Sequence, residues 1–86
     1  MELRIQSINF EATEQLKTFV EKKIKKLEKF SDNIIQTEVL LKVIKPETAK
    51  NKEASVKINL KNGEAFASKV ADTFEEAIDL CAEALE

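Results

Sequence analysis

The stretch KEASVKINLKNGEAFASKVA, residues 52–71, decides the fold of this 86-residue chain. Its first half alternates apolar and polar residues, which is the period of a strand with one buried face. The apolar members are Ala54, Val56, Ile58 and Leu60. Asn62 and Gly63 follow, and this dipeptide can supply the two positive-φ residues of a type I′ turn. The stretch therefore predicts a β-hairpin with strands over 52–60 and 64–71.

Two segments upstream of the hairpin also have the pattern of strands. Residues 34–44, IIQTEVLLKVI, are rich in β-branched side chains and alternate a drier face with a more polar one. The drier face carries Ile35, Thr37, Val39, Leu41 and Val43. Residues 3–9 form a shorter alternating segment. Residues 45–51, KPETAKN, contain the only proline and predict an exposed loop between strands.

Two further segments have the pattern of amphipathic helices. Thr13 has the side chain of an N-cap, and the apolar residues behind it form a stripe about 140° wide that ends near Phe30. Its members are Leu16, Phe19, Val20, Ile24, Leu27 and Phe30. Residues 73–76, TFEE, predict a capping box that starts a second helix. The stripe of this helix is Phe74, Ala77, Ile78, Cys81 and Leu85.

The predicted order of elements is β-α-β-β-β-α. A crossover through the first helix makes the first two strands parallel, and both helices are expected on one face of the sheet. We therefore predict an α+β two-layer sandwich, in which a four-stranded mixed sheet has two helices on one face and an open second face. The length predicts one domain over residues 1–86.

The composition excludes several classes of function. The chain has no histidine, one cysteine and one glycine, so it lacks the commonest catalytic base, a cysteine-rich metal site and a glycine-rich phosphate loop. No apolar run approaches the roughly 20 residues that span a bilayer, and the N-terminus does not resemble a signal peptide. We predict a cytoplasmic protein without a cofactor or a small-molecule substrate.

The cysteine and the acidic residues that could suggest catalysis are better explained by structural roles. Cys81 lies in an apolar stripe, with no histidine to deprotonate it and only acidic neighbours that would raise its pKa, so a structural thiol is predicted. The acidic residues of the last helix predict a solvated outer face rather than a cation site. These are Glu75, Asp79, Glu83 and Glu86. The chain is therefore predicted not to be an enzyme.

Charge is unevenly distributed along the chain. Residues 17–61 contain twelve lysines and six acidic residues, whereas residues 70–86 contain six acidic residues and no basic one. On a helical wheel, five lysines of the first helix share one flank, and Lys23 borders the apolar stripe. Either these lysines only cover the core with their stems, or they form a basic groove between the helices that holds a phosphate backbone.

Several short segments carry a resemblance to a known family. Residues 20–30, VEKKIKKLEKF, are similar to the end of that family's first helix, and residues 40–45, LLKVIK, to its second strand. Residues 62–68, NGEAFAS, match its hairpin, and Asp72 with AID at residues 77–79 matches the start of its last helix. As a set, in this order, they resemble the bacterial ribosome-associated inhibitors and hibernation promoting factors, in the short form without a C-terminal dimerisation domain.

The resemblance implies a fold similar to double-stranded RNA-binding domains and a partner, the small ribosomal subunit. Binding near the decoding centre would block messenger and transfer RNA and hold ribosomes inactive during starvation or stationary phase. Lys23 and Lys26 match the family's basic helix positions best, and Lys29 matches next. Lys42 and Lys45 match basic positions on the second strand and its exit. The predicted RNA-binding residues are Lys22, Lys23, Lys25, Lys26, Lys29, Lys42 and Lys45.

The chain departs from the family in two places. Phe74 stands where relatives usually have a tyrosine, which removes one hydroxyl. The last helix of the family continues into a Lys/Arg-rich end that forms the second wall of the basic groove, whereas this sequence ends in an acidic stretch. Either basic residues follow residue 86 or this protein binds more weakly than its relatives.

A second class of function stays open on the residues alone. The open sheet face, where Leu40 and Ile44 stand among polar neighbours, or an exposed edge strand would serve a small protein-interaction module.

Overall fold

All six predicted elements are present, in the predicted order, in the computed structural model of the chain, which describes residues 2–29, 33–44 and 50–85. They are β1 (Glu2–Ile8), α1 (Glu14–Glu28), β2 (Ile34–Val43), β3 (Lys52–Leu60), β4 (Gly63–Ala71) and α2 (Phe74–Leu85). The predicted α+β class is confirmed. Phe30 and most of the predicted loop over 45–51 lie outside the described residues.

The four strands form one mixed sheet in the order β1-β2-β3-β4. β1 runs parallel to β2, as expected for a pair joined through a helix, and the other two pairs are antiparallel. The alternation predicts the two faces correctly from Thr37 onward, but the predicted burial of Ile35 is wrong, because a register shift between Ile34 and Gln36 leaves it 53% exposed. Thr37, Val39 and Leu41 of β2 are buried together with Ala54, Val56 and Ile58 of β3, while their sequence neighbours lie on the open face.

The two helices begin where their capping residues predict. The Leu16 N–H donates to Thr13 Oγ1 at 3.1 Å, and the Glu76 N–H donates to Thr73 Oγ1 at 3.1 Å. The apolar stripe of α1 is buried at Leu16, Val20, Ile24 and Leu27. α2 packs on β3 and β4 and lies beside α1, so the helices form the second layer of the sandwich.

The predicted turn type of the β3–β4 hairpin is wrong. Leu60 pairs with Gly63, so the two connecting residues are Lys61 and Asn62 rather than Asn62 and Gly63. Apart from glycine, the described residues with positive φ are Asn9 and Lys50, so neither connecting residue has the φ that a type I′ turn requires. Only Gly63, with φ of 157°, uses the conformational freedom of glycine.

Replacement of Gly63 by alanine is expected to destabilise the fold by about 1 kcal/mol, because L-residues rarely adopt this backbone conformation. A Cβ at this position would meet no atom within 4 Å, so the backbone and not crowding causes the loss. Urea denaturation of Gly63→Ala measures it. Lys61→Ala, in the same turn without positive φ, is the control, and equal stability of the two variants would contradict the prediction.

Candidate nucleic-acid interface

The lysine flank, defined as Lys22, Lys25 and Lys26 of α1 with Lys29 at the C-cap of that helix, faces solvent. It does so because the apolar stripe of the same helix is turned toward the sheet and α2. All four side chains are exposed, and none of them forms an ion pair with another described residue. The flank is therefore a row of exposed positive charges, none of which is held in a direct ion pair with a described carboxylate.

Lys23, the remaining predicted lysine of α1, has a different environment. Its ammonium group lies 2.9 Å from a carboxylate oxygen of Asp79 on α2, and its side chain is only 28% exposed. The same nitrogen lies 5.5 Å from the centroid of the Phe19 ring, within the range of a cation–π contact. Lys23 thus covers the edge of the core, as a residue beside an apolar stripe can, but its charge is compensated inside the protein.

A groove of about 350 Å³ separates α1 and α2. It is lined by Lys23, Lys26, Leu27, Asp79, Ala82 and Glu83. Two positive and two negative groups therefore face it, so of the two alternatives for the α1 lysines the basic groove is not the one that the structure shows. Asp79 and Glu83 are exposed, as expected for a solvated face, but they border the groove on the side of α2 that faces α1.

Tertiary packing explains this difference. The lysine-rich and acid-rich parts of the sequence are far apart along the chain. α2 nevertheless packs directly beside α1, and its last turn contains no basic residue. The acids consequently neutralise the groove side of the lysine helix and leave only its outer flank positive.

The two predicted lysines outside α1 are not part of this flank. Lys42 lies on the open face of the sheet, opposite Glu53 in the β2–β3 register, whereas α1 covers the other face. The sheet therefore separates Lys42 from the α1 lysines. Lys45 lies outside the described residues.

The open face of the sheet carries a second concavity, of about 210 Å³. Arg4, Leu40 and Lys57 line it together with Phe66, which is 64% exposed. Sequence patterning did not assign Phe66, although its alternation with the buried Ala67 would have placed it on the solvent side. The charges of this face alternate across the strands, since Glu38 lies opposite Lys57 and Lys42 opposite Glu53.

Cys81 is the structural thiol that its position predicted. It is fully buried, and its Sγ donates to the carbonyl oxygen of Ala54 at 3.3 Å. Burial raises the pKa of the thiol, and both the backbone N–H and the positive charge of Lys69 oppose that rise. The expected cause was wrong, because desolvation rather than acidic neighbours raises the pKa.

The described residues contain no group of three or more His, Cys, Asp or Glu side chains placed to hold a metal ion. Neither described helix has the length and apolar character required to cross a membrane.

The fold and the exposed flank define a small α+β domain that presents a cationic helix surface, a class suited to polyanionic partners. The model of the family described as Sigma 54 modulation protein / S30EA ribosomal protein matches residues 3–86, and the chain belongs to this family. The resemblance detected in the sequence is thereby confirmed.

Known proteins similar to this chain agree with that assignment. The ribosome hibernation promoting factors of Escherichia coli K12 and Shigella flexneri are 39% identical to it over 79 residues, which cover 92% of this chain and 79% of each relative.

Solved structures share the fold. The N-terminal domain of Thermus thermophilus Protein Y aligns with a TM-score of 0.83 at 23% identity, over 99% of this chain and 91% of that one. A ribosomal subunit interface protein from Coxiella burnetii aligns with a TM-score of 0.88 at 19% identity, over 100% and 90% of the two chains.

The thiol of Cys81 is expected to be unreactive in the folded protein, because burial blocks access and the raised pKa lowers the thiolate fraction at a given pH. Iodoacetamide at mildly alkaline pH should alkylate it slowly in buffer and rapidly in denaturant, as followed by mass spectrometry. Equal rates in both solvents would show that the thiol is accessible.

Proposed function

We propose that this chain is a ribosome-binding hibernation factor whose lysine flank contacts phosphates of ribosomal RNA in the small subunit. The observation that carries the proposal is the row of four exposed lysines along α1 and its C-cap, none of which forms an ion pair with a described carboxylate. The 39% identity to ribosome hibernation promoting factors supports the same partner. No catalytic step is required of any residue.

The flank suits contact with a nucleic-acid backbone. Lys22, Lys26 and Lys29 follow one another at helical spacing, so their attachment points extend over about 10 Å of the helix. Lysine is a point charge on a flexible stem, which fits phosphate oxygens at varied angles but does not read base edges with bidentate geometry. The flank would therefore recognise an RNA backbone by charge and shape.

The finer elements of the proposal come from family membership. One domain would occupy the small subunit near the decoding centre, exclude messenger and transfer RNA, and hold ribosomes inactive during starvation or stationary phase. Because acids line the groove between the helices, the RNA backbone would meet α1 on its outer flank. The surface proposed to contact RNA is thus one flank of one helix, not a groove with two basic walls.

Binding to purified small ribosomal subunits should weaken steeply with salt. If the four flank lysines each displace about one counterion, the log-log slope of affinity against salt is on the order of −3 to −4. Co-sedimentation at several potassium chloride concentrations measures this slope. An affinity that does not change with salt would contradict a phosphate contact.

Loss of two flank lysines should weaken that binding about tenfold or more at low salt and reduce the slope by about 2, because each phosphate contact contributes about one counterion. The variant is Lys25→Gln with Lys29→Gln. Lys61→Gln with Lys69→Gln removes the same charge at the hairpin and β4, and should bind nearly as the parent chain does. An equal loss in both double variants would indicate a non-specific effect of net charge.

The exposed Phe66 favours the second candidate function, a protein-interaction surface on the open face of the sheet. Phe66→Ser separates the two. It keeps the lysine flank intact, so co-sedimentation with small subunits should persist, and its loss would favour the open face as the contact surface.

A further inference from the structure

We infer that Asp79 decides which side of α1 the RNA backbone can approach, because it holds Lys23 in an ion pair and closes the inter-helix groove to phosphate. The inference rests on the proposed function and names a specificity-determining residue within it. Asp79 itself would not touch RNA. Its effect would be to remove one lysine from the phosphate-binding surface and to repel phosphates from the groove.

The geometry of the pair carries the first step. The Lys23 ammonium and the Asp79 carboxylate are 2.9 Å apart, and their side chains are 28% and 50% exposed. An ion pair of this exposure is screened less by salt than pairs between fully exposed side chains. A phosphate that approached Lys23 would have to displace the carboxylate or share the ammonium with it, and in both cases it would meet a like charge at short range.

The second step concerns the rest of the groove. Glu83 follows Asp79 by one helical turn and lines the same wall of the groove. On the other wall, Lys26 follows Lys23 by three residues, which is about one helical turn, and its side chain is exposed. The acids of α2 thus face both lysines that border the groove. The other three flank lysines, Lys22, Lys25 and Lys29, form no ion pair with a described acid of α2.

The consequence is a directional surface. Lys26 lines the same groove as Glu83 on one side, and on its solvent side it continues the flank. A phosphate chain would be held along the outer flank and kept from entering between the helices. Removal of the charge of Asp79 should release Lys23 and extend the phosphate-binding surface into the groove.

The test is Asp79→Asn, which removes the charge and preserves the size of the side chain. Two probes are used, purified small ribosomal subunits and a short RNA duplex of mixed sequence. Binding to both should become roughly fivefold to tenfold tighter at low salt, and the log-log salt slope should steepen by about 1, because one lysine is added to the phosphate contacts. Unchanged or weaker binding to the duplex would overturn the inference.

The matched control is Glu14→Gln. Glu14 also pairs with a lysine of α1, Lys17, at 3.7 Å, but it lies in the first turn of the helix away from the groove. The Glu14→Gln variant measures how much RNA affinity changes when any one negative charge is removed from the protein. A gain with Glu14→Gln as large as the gain with Asp79→Asn would overturn the inference, since the position of the acid would then not matter.

A double-variant cycle tests the route through Lys23. In a Lys23→Gln background, Asp79→Asn should leave the salt slope unchanged and tighten duplex binding by no more than the roughly twofold expected from relief of repulsion. A full gain in that background would overturn the assigned role of the ion pair, because Asp79 would then act on RNA without Lys23.

Two further measurements keep the result interpretable. Thermal unfolding shows whether the Asp79→Asn variant folds. The Glu83→Gln variant breaks no observed ion pair, and its duplex affinity should rise only about twofold, because it removes one repulsive charge from the groove. If Asp79→Asn unfolds, an unchanged duplex affinity of Glu83→Gln overturns the inference. If the parent chain does not bind small subunits but the duplex results follow the expected pattern, the proposed function fails and the inference about Asp79 holds.

Discussion

Close packing of α2 on β3 and β4 is the constraint on which the rest of the structure depends. The sheet positions beneath α2 are small, with Ala54, Ala67 and Ala71 all buried, and Ala77 of the helix is buried against them. Small side chains on both layers allow the helix backbone to approach the sheet closely. The approach is close enough for the Cys81 thiol to donate to the carbonyl oxygen of Ala54. A layer packed in this way leaves α2 little freedom to shift without opening voids in the core.

The position of α2 sets the electrostatics of its neighbour. α1 must cover the remaining apolar surface beside α2, and this brings the lysine-bearing edge of α1 against the acidic edge of α2. One ion pair forms, the groove becomes neutral, and the uncompensated charge is confined to the outer flank of α1. The distribution of positive potential on this protein is therefore a consequence of helix packing as much as of lysine content.

Solved structures of low sequence identity to this chain share its fold. Structures with 23% and 19% identity retain the same fold with TM-scores above 0.8, because alternation in the strands and stripes in the helices can be met by many side chains. Surface charge is under no such constraint. A site must therefore be argued from the residues that this chain places together, and the acids facing the groove belong to that description.

The sequence by itself determined the secondary structure, the buried faces of β3 and of β2 from Thr37 onward, the start of both helices and the family. Each of these depends on residues close together in the chain: alternation in β2 and β3, the hydroxyls of Thr13 and Thr73, and the stripe of α1. The turn before Gly63 was misassigned by one residue, because the strand register and not the dipeptide alone sets which residues connect the strands. Tertiary structure alone decided that Asp79 meets Lys23, that Lys42 lies across the sheet from the α1 lysines, and that burial governs the thiol of Cys81. Charge–charge interaction and desolvation act through space between residues distant in the chain, and no local pattern encodes those distances.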